Sequence, residues 1–466
     1  MGSIQDFLDQ IQFLALGGGR EIGANSFFLR LGSHGLLIDA GLHPEKKGWE
    51  AFPRAELLDP FAVDSFIITH AHSDHIGGIP FLLQSQPQAR VIATPETIEI
   101  ARVMLRNSAT LLPKQHPQEI MDKLPFYTEA KIDELITNIE PRRFGKPFQL
   151  SETSKPITAT LYMSGHILGA GGILIEYDGK RIFHTGDTSL HPQTLIAGAE
   201  LPEGPVDVLI TESTNGREDA YLSHSRESEL ERLLTVINDT LTGGGSVLIP
   251  VFALGKMQEA LMMMTDAMRD KKIPTVDIYT GGMARLISQI YDKTAHSQSR
   301  LRNDELLGDI KQEDIPRRDG LFSGKFFKTP SIVLASSGMM QEGTSSYLLA
   351  QRWLRQKTFA ICFIGYTDPR TPGYIVSHAE QGTRIKFGSM KRDVPVRCRV
   401  ERFRFSAHAR REELLEIARR LKPKHIVMTH GDTEAMNTFS EALRIECPEA
   451  RISAPEVGKW YRLINE

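Results

Sequence analysis

The 466-residue sequence predicts an α/β protein of two or three domains. Three features carry that expectation. Short apolar runs separated by glycine turns fill the N-terminal part up to Val206–Thr211, regular strand–helix alternation runs from about Ser223, and strand–helix units return near the C-terminus. Hydrophobic residues make up 41% and charged residues 24%, which excludes disordered, collagen-like and disulfide-scaffold chains. Lys and Arg total 55 against 58 Asp and Glu, so a wholly basic nucleic-acid binder is excluded while local patches are not. Cys362, Cys398 and Cys447 are too scattered for a disulfide framework or a cysteine zinc site. The opening MGSIQDFLDQ lacks a basic region followed by an apolar core, and runs such as Ser246–Leu254 fall short of the roughly 18 apolar residues of a membrane span. A cytoplasmic protein with no membrane contact is the expectation.

Ile11–Leu16, Phe27–Leu31 and Leu36–Asp39 read as strands, with Gly17–Gly19 and Gly32–Gly35 as the turns between them. Asp64–Thr69, Arg90–Ala93, Ile157–Leu161, Gly172–Tyr177 and Arg181–His184 continue the series, and Asp178-Gly179 marks a hairpin between the last two. Beyond Val206–Thr211, helices at Ser225–Leu241 and Gly255–Arg269 frame the strand Ser246–Val251. The helix start allows capping by Ser223 or Ser225 beside His224. Thr275–Tyr279, Ser331–Ala335 and Thr358–Ile364 are strands, alternating with helices at Met283–Tyr291 and Tyr347–Arg355, which predicts a parallel sheet with crossover helices. The charged stretch Asn303–Lys328 reads as an exposed loop. Strands Val396–Phe405 and His425–Met428 and helices near Arg410–Leu421 and Thr433–Leu443 complete the chain.

Directly after Asp64–Thr69 come His70, His72, Asp74 and His75. Three imidazoles and a carboxylate on the loop leaving a buried strand are divalent-cation ligands by type. Alternate residues of an extended stretch share a face, so His70 and His72 can grip one cation. Asp74 and His75 fall where a helix begins and can reach a second. An N-cap by Ser73 or Asp74 accounts for one of these residues, not all four. Elsewhere, Arg384–Lys424 holds 14 Lys/Arg against 5 Asp/Glu. Arg397 and Arg399 should face one side of a strand, whereas Arg402 and Arg404 alternate in the opposite phase, which predicts a bulge near Glu401. This strip is a candidate contact for a phosphate backbone, a solvated strand face being the alternative.

The pattern at His70–His75 resembles the H-x-H-x-D-H signature of the metallo-β-lactamase superfamily. Asp39 in GLLIDAGLHP resembles the first motif of that family, His166 in Ser164-Gly165-His166 the third, and Asp187 in Thr185-Gly186-Asp187 the fourth. Thr211–Gly216 (TESTNG), Phe405–Ala409 (FSAHA) and Met428–Gly431 (MTHG) are similar to motifs A, B and C of the β-CASP branch, and IPVFALGK, SSGMMQEG and GYTDPRTPG agree. The resemblance runs from about Leu14 to Thr433 and points toward the endonuclease subunit of the cleavage and polyadenylation specificity factor and its prokaryotic relatives. Two positions depart from it: Asn215 stands where motif A usually has Tyr, and Ser337 where eukaryotic relatives have Pro.

The resemblance implies an αββα sandwich formed by residues 1–213 and 395–466, with an inserted α/β cap at 214–394 built on a mainly parallel sheet and closing over the site. It also implies two zinc ions: His70, His72 and His166 on one, Asp74, His75 and His430 on the other, and Asp187 bridging both. Manganese or iron also suits such donors. Asp39 would orient a ligand or the shared water, His408 would act as general acid, and Glu212 would hold it. Ser336, Ser337 and Gly338 would offer backbone amides to phosphate.

The implied function is cleavage of single-stranded RNA by a water activated between the cations, most simply as an endoribonuclease, in a homodimer or an RNA-processing complex. His430 favours RNA over the DNA-repair members. Ser336–Gly343, and the short stretch after motif C, favour the endonuclease over a 5′–3′ exoribonuclease of the ribonuclease J type. The full ligand set argues against a non-catalytic scaffold, and the cap with His408 against small-molecule hydrolysis. His43 reads either as an entrance residue or as a turn residue before Pro44. His34 and His184 read as structural, and Met262, Met263 and Met264 as core.

Overall fold

The computed structural model describes residues 11–115, 127–152, 155–217, 225–316 and 328–464. His224 and Ser223, and residues 317–327 of the expected charged loop, lie outside them. The chain divides into two units, Met1–Glu218 with Ala407–Glu466, and Asp219–Ser406.

In the first unit, strands β1 (Ile11–Gly17), β2 (Ser26–Leu31) and β3 (His34–Ile38) form an antiparallel meander. β4 (Ser65–Ile67), β5 (Arg90–Ala93) and β6 (Glu140–Pro141) extend it in parallel. Along the way lie helices α1 (Ser73–Ile76), α2 (Ile79–Ser85), α3 (Pro95–Gln115) and α4 (Glu129–Thr137). A second sheet begins with β7 (Phe148–Ser151), β8 (Ile157–Met163), β9 (Gly171–Tyr177) and β10 (Lys180–His184), all antiparallel, followed by the parallel β11 (Val208–Glu212).

The second unit carries β12 (Val247–Pro250), β13 (Asp277–Thr280), β14 (Glu313–Asp314), β15 (Ser331–Ala335) and β16 (Ala360–Phe363). The short pair β17 (Arg384–Ile385) and β18 (Val394–Pro395) precedes β19 (Arg399–Arg402). Its helices are α5 (Arg226–Thr242), α6 (Lys256–Arg269), α7 (Gly282–Lys293), α8 (Ser345–Trp353) and α9 (Pro372–Ser377). The main sheet, in the order β14-β13-β15-β12-β16-β19, is parallel throughout. Its core is packed by Leu248, Val333, Ile361, Trp353 and Phe363. Ser225 caps α5, its side chain accepting from Ser228 N at 3.2 Å.

The chain then returns to the first unit through α10 (Arg411–Leu421), β20 (His425–Thr429), α11 (Thr433–Glu446), β21 (Arg451–Ser453) and β22 (Trp460–Arg462). Two seven-stranded sheets result, in the orders β22-β1-β2-β3-β4-β5-β6 and β21-β20-β11-β10-β9-β8-β7. Alternate residues of β2 (Phe27, Leu29, Leu31) meet Ala159, Leu161, Ile173, Ile175 and Ile182 of the other sheet in one core. The opposite face of the second sheet, through Leu209, Ile426 and Met428, is covered by Leu414, Ile417, Leu421, Phe439 and Leu443 of α10 and α11. This is the expected αββα layering.

Three sequence expectations shift. β19 pairs with β16, so the chain re-enters the first unit at Ala407 rather than at residue 395. The β16–β19 register is unbroken across Glu401, so there is no bulge there: Arg399 and Glu401 point to one face and pair with each other at 3.1 Å, while Arg402 turns to the other. Glu313–Asp314, inside the expected loop, adds an edge strand to the sheet. The helices α3 and α4 were missed; Pro95 at the start of α3 and the buried spacing Ala101, Leu105, Leu112 were the available signals.

Phe13 is fully buried and its ring lies 5.8 Å from that of Phe27 in the inter-sheet core. Phe13→Ala is expected to lower unfolding free energy by about 3–5 kcal/mol, measured by urea denaturation.

Candidate metal centre

The site forms where strands of the first unit end, as their backbones run out of ladder partners and turn. Asp39 follows β3 with φ 58° and is fully buried. Its carboxylate accepts from Thr69 N at 2.8 Å and Thr69 Oγ1 at 2.6 Å, and its Oδ2 lies 2.7 Å from His75 Nδ1. Burial drives the Asp39 pKa upward, against the pull of His75 and Thr69. Asp39 thereby ties the end of β3 to both ends of the His70–His75 turn. The neighbouring Gly41 is required by space: a Cβ there would stand 1.6 Å from the Asp74 carbonyl oxygen.

His70 Nδ1 lies 3.0 Å from Thr69 Oγ1, and since that hydroxyl donates to Asp39, the imidazole N–H must be the donor here. His166 Nδ1 donates to Ala407 O at 2.9 Å. Both Nε2 atoms therefore carry lone pairs, and both face His72 Nδ1, at 3.1 and 3.0 Å. One proton on His72 could satisfy only one of them, whereas a cation satisfies all three. Burial holds the pKa values of His70 and His166 well below the usual imidazole range and that of His72 down to about 4, so all three are neutral, the form that binds metal.

Beside them, His75 Nε2 faces Asp187 Oδ2 at 3.3 Å and Asp74 Oδ2 at 3.8 Å. His430, with φ 47° after β20, places Nε2 3.3 Å from Asp74 Oδ2 and Nδ1 3.4 Å from Asp187 Oδ1. Asp187 Oδ2 also lies 3.6 Å from both His70 Nε2 and His166 Nε2, so one carboxylate touches both halves of the cluster. Burial opposes ionisation of Asp187, but His430, His75 and His408 outweigh it and lower its pKa. The donor atoms of His70, His72 and His166, and those of Asp74, His75 and His430, each lie within 4.8 Å of one another. The neutral imidazoles of His70, His72 and His166, and the carboxylates that meet His75 and His430, fit divalent cations by donor type.

His408 Nδ1 lies 2.9 Å from Glu212 Oε2, and Glu212 Oε1 accepts from Thr188 N at 2.7 Å. Burial works against protonation of His408, but the Glu212 and Asp187 carboxylates prevail and raise its pKa to about 9. Its side chain is 23% exposed, more than those of Asp187 and Glu212 behind it, so the ring's outer edge is open to a ligand.

Sequence reasoning missed three supports. Asn25 is buried, with Nδ2 3.1 Å from His75 Nε2 and donating to Asp74 O at 3.1 Å; the glycine-rich turn before it was the only local signal. Asn215 donates to the carbonyls of His408 and Ala409 at 3.3 and 3.1 Å, so the residue that departs from motif A fixes the motif B backbone. Thr214 Oγ1 lies 2.9 Å from His430 Nδ1. His184 Nδ1 accepts from Gly186 N at 2.9 Å, a structural role at the Asp187 turn, and His43 Nδ1 accepts from Glu45 N and Lys46 N at 3.2 Å, a turn role. Met262, Met263 and Met264 are buried.

The remaining expected residues belong to the second unit. Ser337 Oγ accepts from Gln341 N at 3.0 Å and Ser346 N donates to Ser336 O at 3.0 Å, so these serines shape their own turn, while Gly338 packs against Phe252. Arg399 is engaged by Glu401 and Asp239, at 3.1 and 3.6 Å, whereas Arg397 is exposed.

Comparison with known proteins matches residues 19–234 to the metallo-β-lactamase superfamily, 257–375 to the Beta-Casp domain and 393–453 to a Zn-dependent metallo-hydrolase RNA specificity domain. The chain is 29% identical over 447 residues to cleavage and polyadenylation specificity factor 73 of Drosophila melanogaster, covering 94% of this chain and 62% of that one. It is 30% identical over 455 residues to Endoribonuclease YSH1 of Candida glabrata, covering 94% and 57%. The chain thus spans about three fifths of the length of these relatives. A crystal structure of a protein of unknown function from Enterococcus faecalis V583 shares the fold, with a TM-score of 0.56, 15% identity and coverage of 97% of this chain and 99% of that one.

Replacing His72 by Ala removes the nitrogen that both other imidazoles face. The variant is expected to retain fewer divalent ions per chain than the parent, read by elemental analysis after dialysis.

Proposed function

Because this chain belongs to the β-CASP branch of the metallo-β-lactamase superfamily, we propose that it is a metal-dependent endoribonuclease acting on single-stranded RNA. The reading rests on one observation above others: a carboxylate-held histidine, His408, beside a convergent histidine–aspartate centre. The match to an RNA specificity domain and the likeness to an endoribonuclease, YSH1 of Candida glabrata, support RNA as substrate.

In this reading His70, His72 and His166 would hold one zinc ion, Asp74, His75 and His430 the other, with Asp187 within reach of both groups. Ions bound there supply Lewis acidity toward the attacking water and the phosphate oxygens. The chain's own groups do the rest. Asp39 and Thr69 fix the tautomers and ring planes of His75 and His70, and Ala407 O does the same for His166. Glu212, itself pinned by Thr188 N, keeps His408 Nδ1 protonated and turns Nε2 outward. From Nε2 a proton passes to the leaving sugar oxygen, and the neutral ring keeps its bond to Glu212 afterwards. Asn215 holds the backbone that carries His408. Arg397, exposed on the second unit, is a proposed contact for the RNA backbone, whereas the ion pairs of Arg399 favour a structural part. The resemblance to specificity-factor subunits supports work within an RNA-processing complex.

His408→Ala is expected to keep its metal content and lose about 10²–10⁴-fold in cleavage rate, followed with an internally labelled, 5′-phosphorylated RNA. Internal fragments from the parent support the endonuclease; release of mononucleotides would make it an exonuclease. Full activity in His408→Ala would remove the proposed acid.

A further inference from the structure

The second unit contains a groove of about 440 Å³ between α8 and the turn joining β17 to β18. That volume falls within the roughly 300–1,000 Å³ of small-ligand sites. Three exposed cations line it, Arg355, Lys391 and Arg392, against a single acid, Glu342. Among the described residues none of these three cations has a carboxylate within ion-pair distance. Several other exposed arginines are ion-paired, as Arg269 is with Asp266 and Glu305.

The floor is apolar. Leu348 and Met390 are only partly buried and pack against the core of this unit. Beside them Gln351, Ser389 and the Tyr347 hydroxyl make no hydrogen bond among the described residues. The groove thus offers excess positive charge at its rim, an apolar surface at its base, and donors and acceptors with no hydrogen bond among the described residues. A phosphate-bearing chain with planar bases satisfies all three. An acidic peptide would use only the first.

We propose that this groove is a binding subsite for single-stranded RNA, with Arg355, Lys391 and Arg392 meeting backbone phosphates and Leu348 and Met390 receiving the face of a base. The proposal rests on the ribonuclease reading above and extends it to a surface outside the metal centre. The two arginines suit phosphate because the guanidinium fork bonds two oxygens at once.

The test titrates the metal-loaded protein with fluorescent oligouridylate made cleavage-resistant by 2′-O-methyl groups, between about 50 and 200 mM salt. Each phosphate-facing cation contributes ~0.7 to the salt slope on a single strand, so Arg355→Gln/Lys391→Gln/Arg392→Gln is expected to lower that slope by about 2. Over this salt range the parent then loses about 20-fold more affinity than the variant. Should the triple variant fail to fold, Lys391→Gln alone, at an exposed position, is expected to lower the slope by about 0.7. The charge-preserving Arg355→Lys/Lys391→Arg/Arg392→Lys keeps the parent slope. An unchanged slope in the Gln variants of a parent that binds and cuts RNA overturns the groove alone. Equal displacement of the RNA by an oligoglutamate of matched charge reassigns the groove to acidic peptides and overturns the RNA proposal. A parent that binds no RNA removes the ribonuclease reading and this proposal together.

Discussion

The buried Asp39 carboxylate, gripping Thr69 and His75 at once, is the interaction on which the site's arrangement depends. It lies at the end of one strand and holds the beginning and end of the turn that leaves the next. An ionised carboxylate with no solvent is costly unless its oxygens are occupied, and here they are occupied by the groups whose orientation matters most. Ring planes and tautomers of His70 and His75 follow from that one contact. The close approach of Gly41 to the Asp74 carbonyl is the steric side of the same constraint.

Electrostatics give the cluster its direction. Five imidazoles, from His70, His72, His75, His166 and His430, and two carboxylates, from Asp74 and Asp187, crowd one spot, buried except for the partly exposed His72 and Asp74. Without cations their lone pairs and charges oppose one another, as the three converging nitrogens around His72 demonstrate. A protein tolerates such crowding where the added positive charge of bound ions repays it. His408 stands at the margin of this cluster, where the Glu212 and Asp187 carboxylates outweigh the burial that works against its protonation. In the proposed reaction the same residue type would serve as ligand and as acid according to its neighbours.

The second unit follows a separate logic. Its central strands β12, β15 and β16 are buried throughout and read as apolar runs, while charged residues fall on the edge strands β14 and β19. On β19, Glu401 and Asp239 answer Arg399, whereas Arg402 lies against His378.

Much of the site could be read from the chain itself. The strand–turn–helix around His70–His75 places four donors within six residues, and alternation along an extended stretch already separates them into two sets. The alternating apolar strands and the βα rhythm of the second unit were likewise local signals, because side-chain period follows backbone geometry. What the chain could not reveal was set at long range. Asn25 meets Asp74 and His75 from fifty residues away, and Asn215 reaches the carbonyls of His408 and Ala409 across nearly two hundred. The membership of β19 depended on a partner, Ala360–Phe363, that no pattern within Val396–Phe405 specifies. Periodicity tells which face a residue takes; only the packed sheets decide what that face will meet.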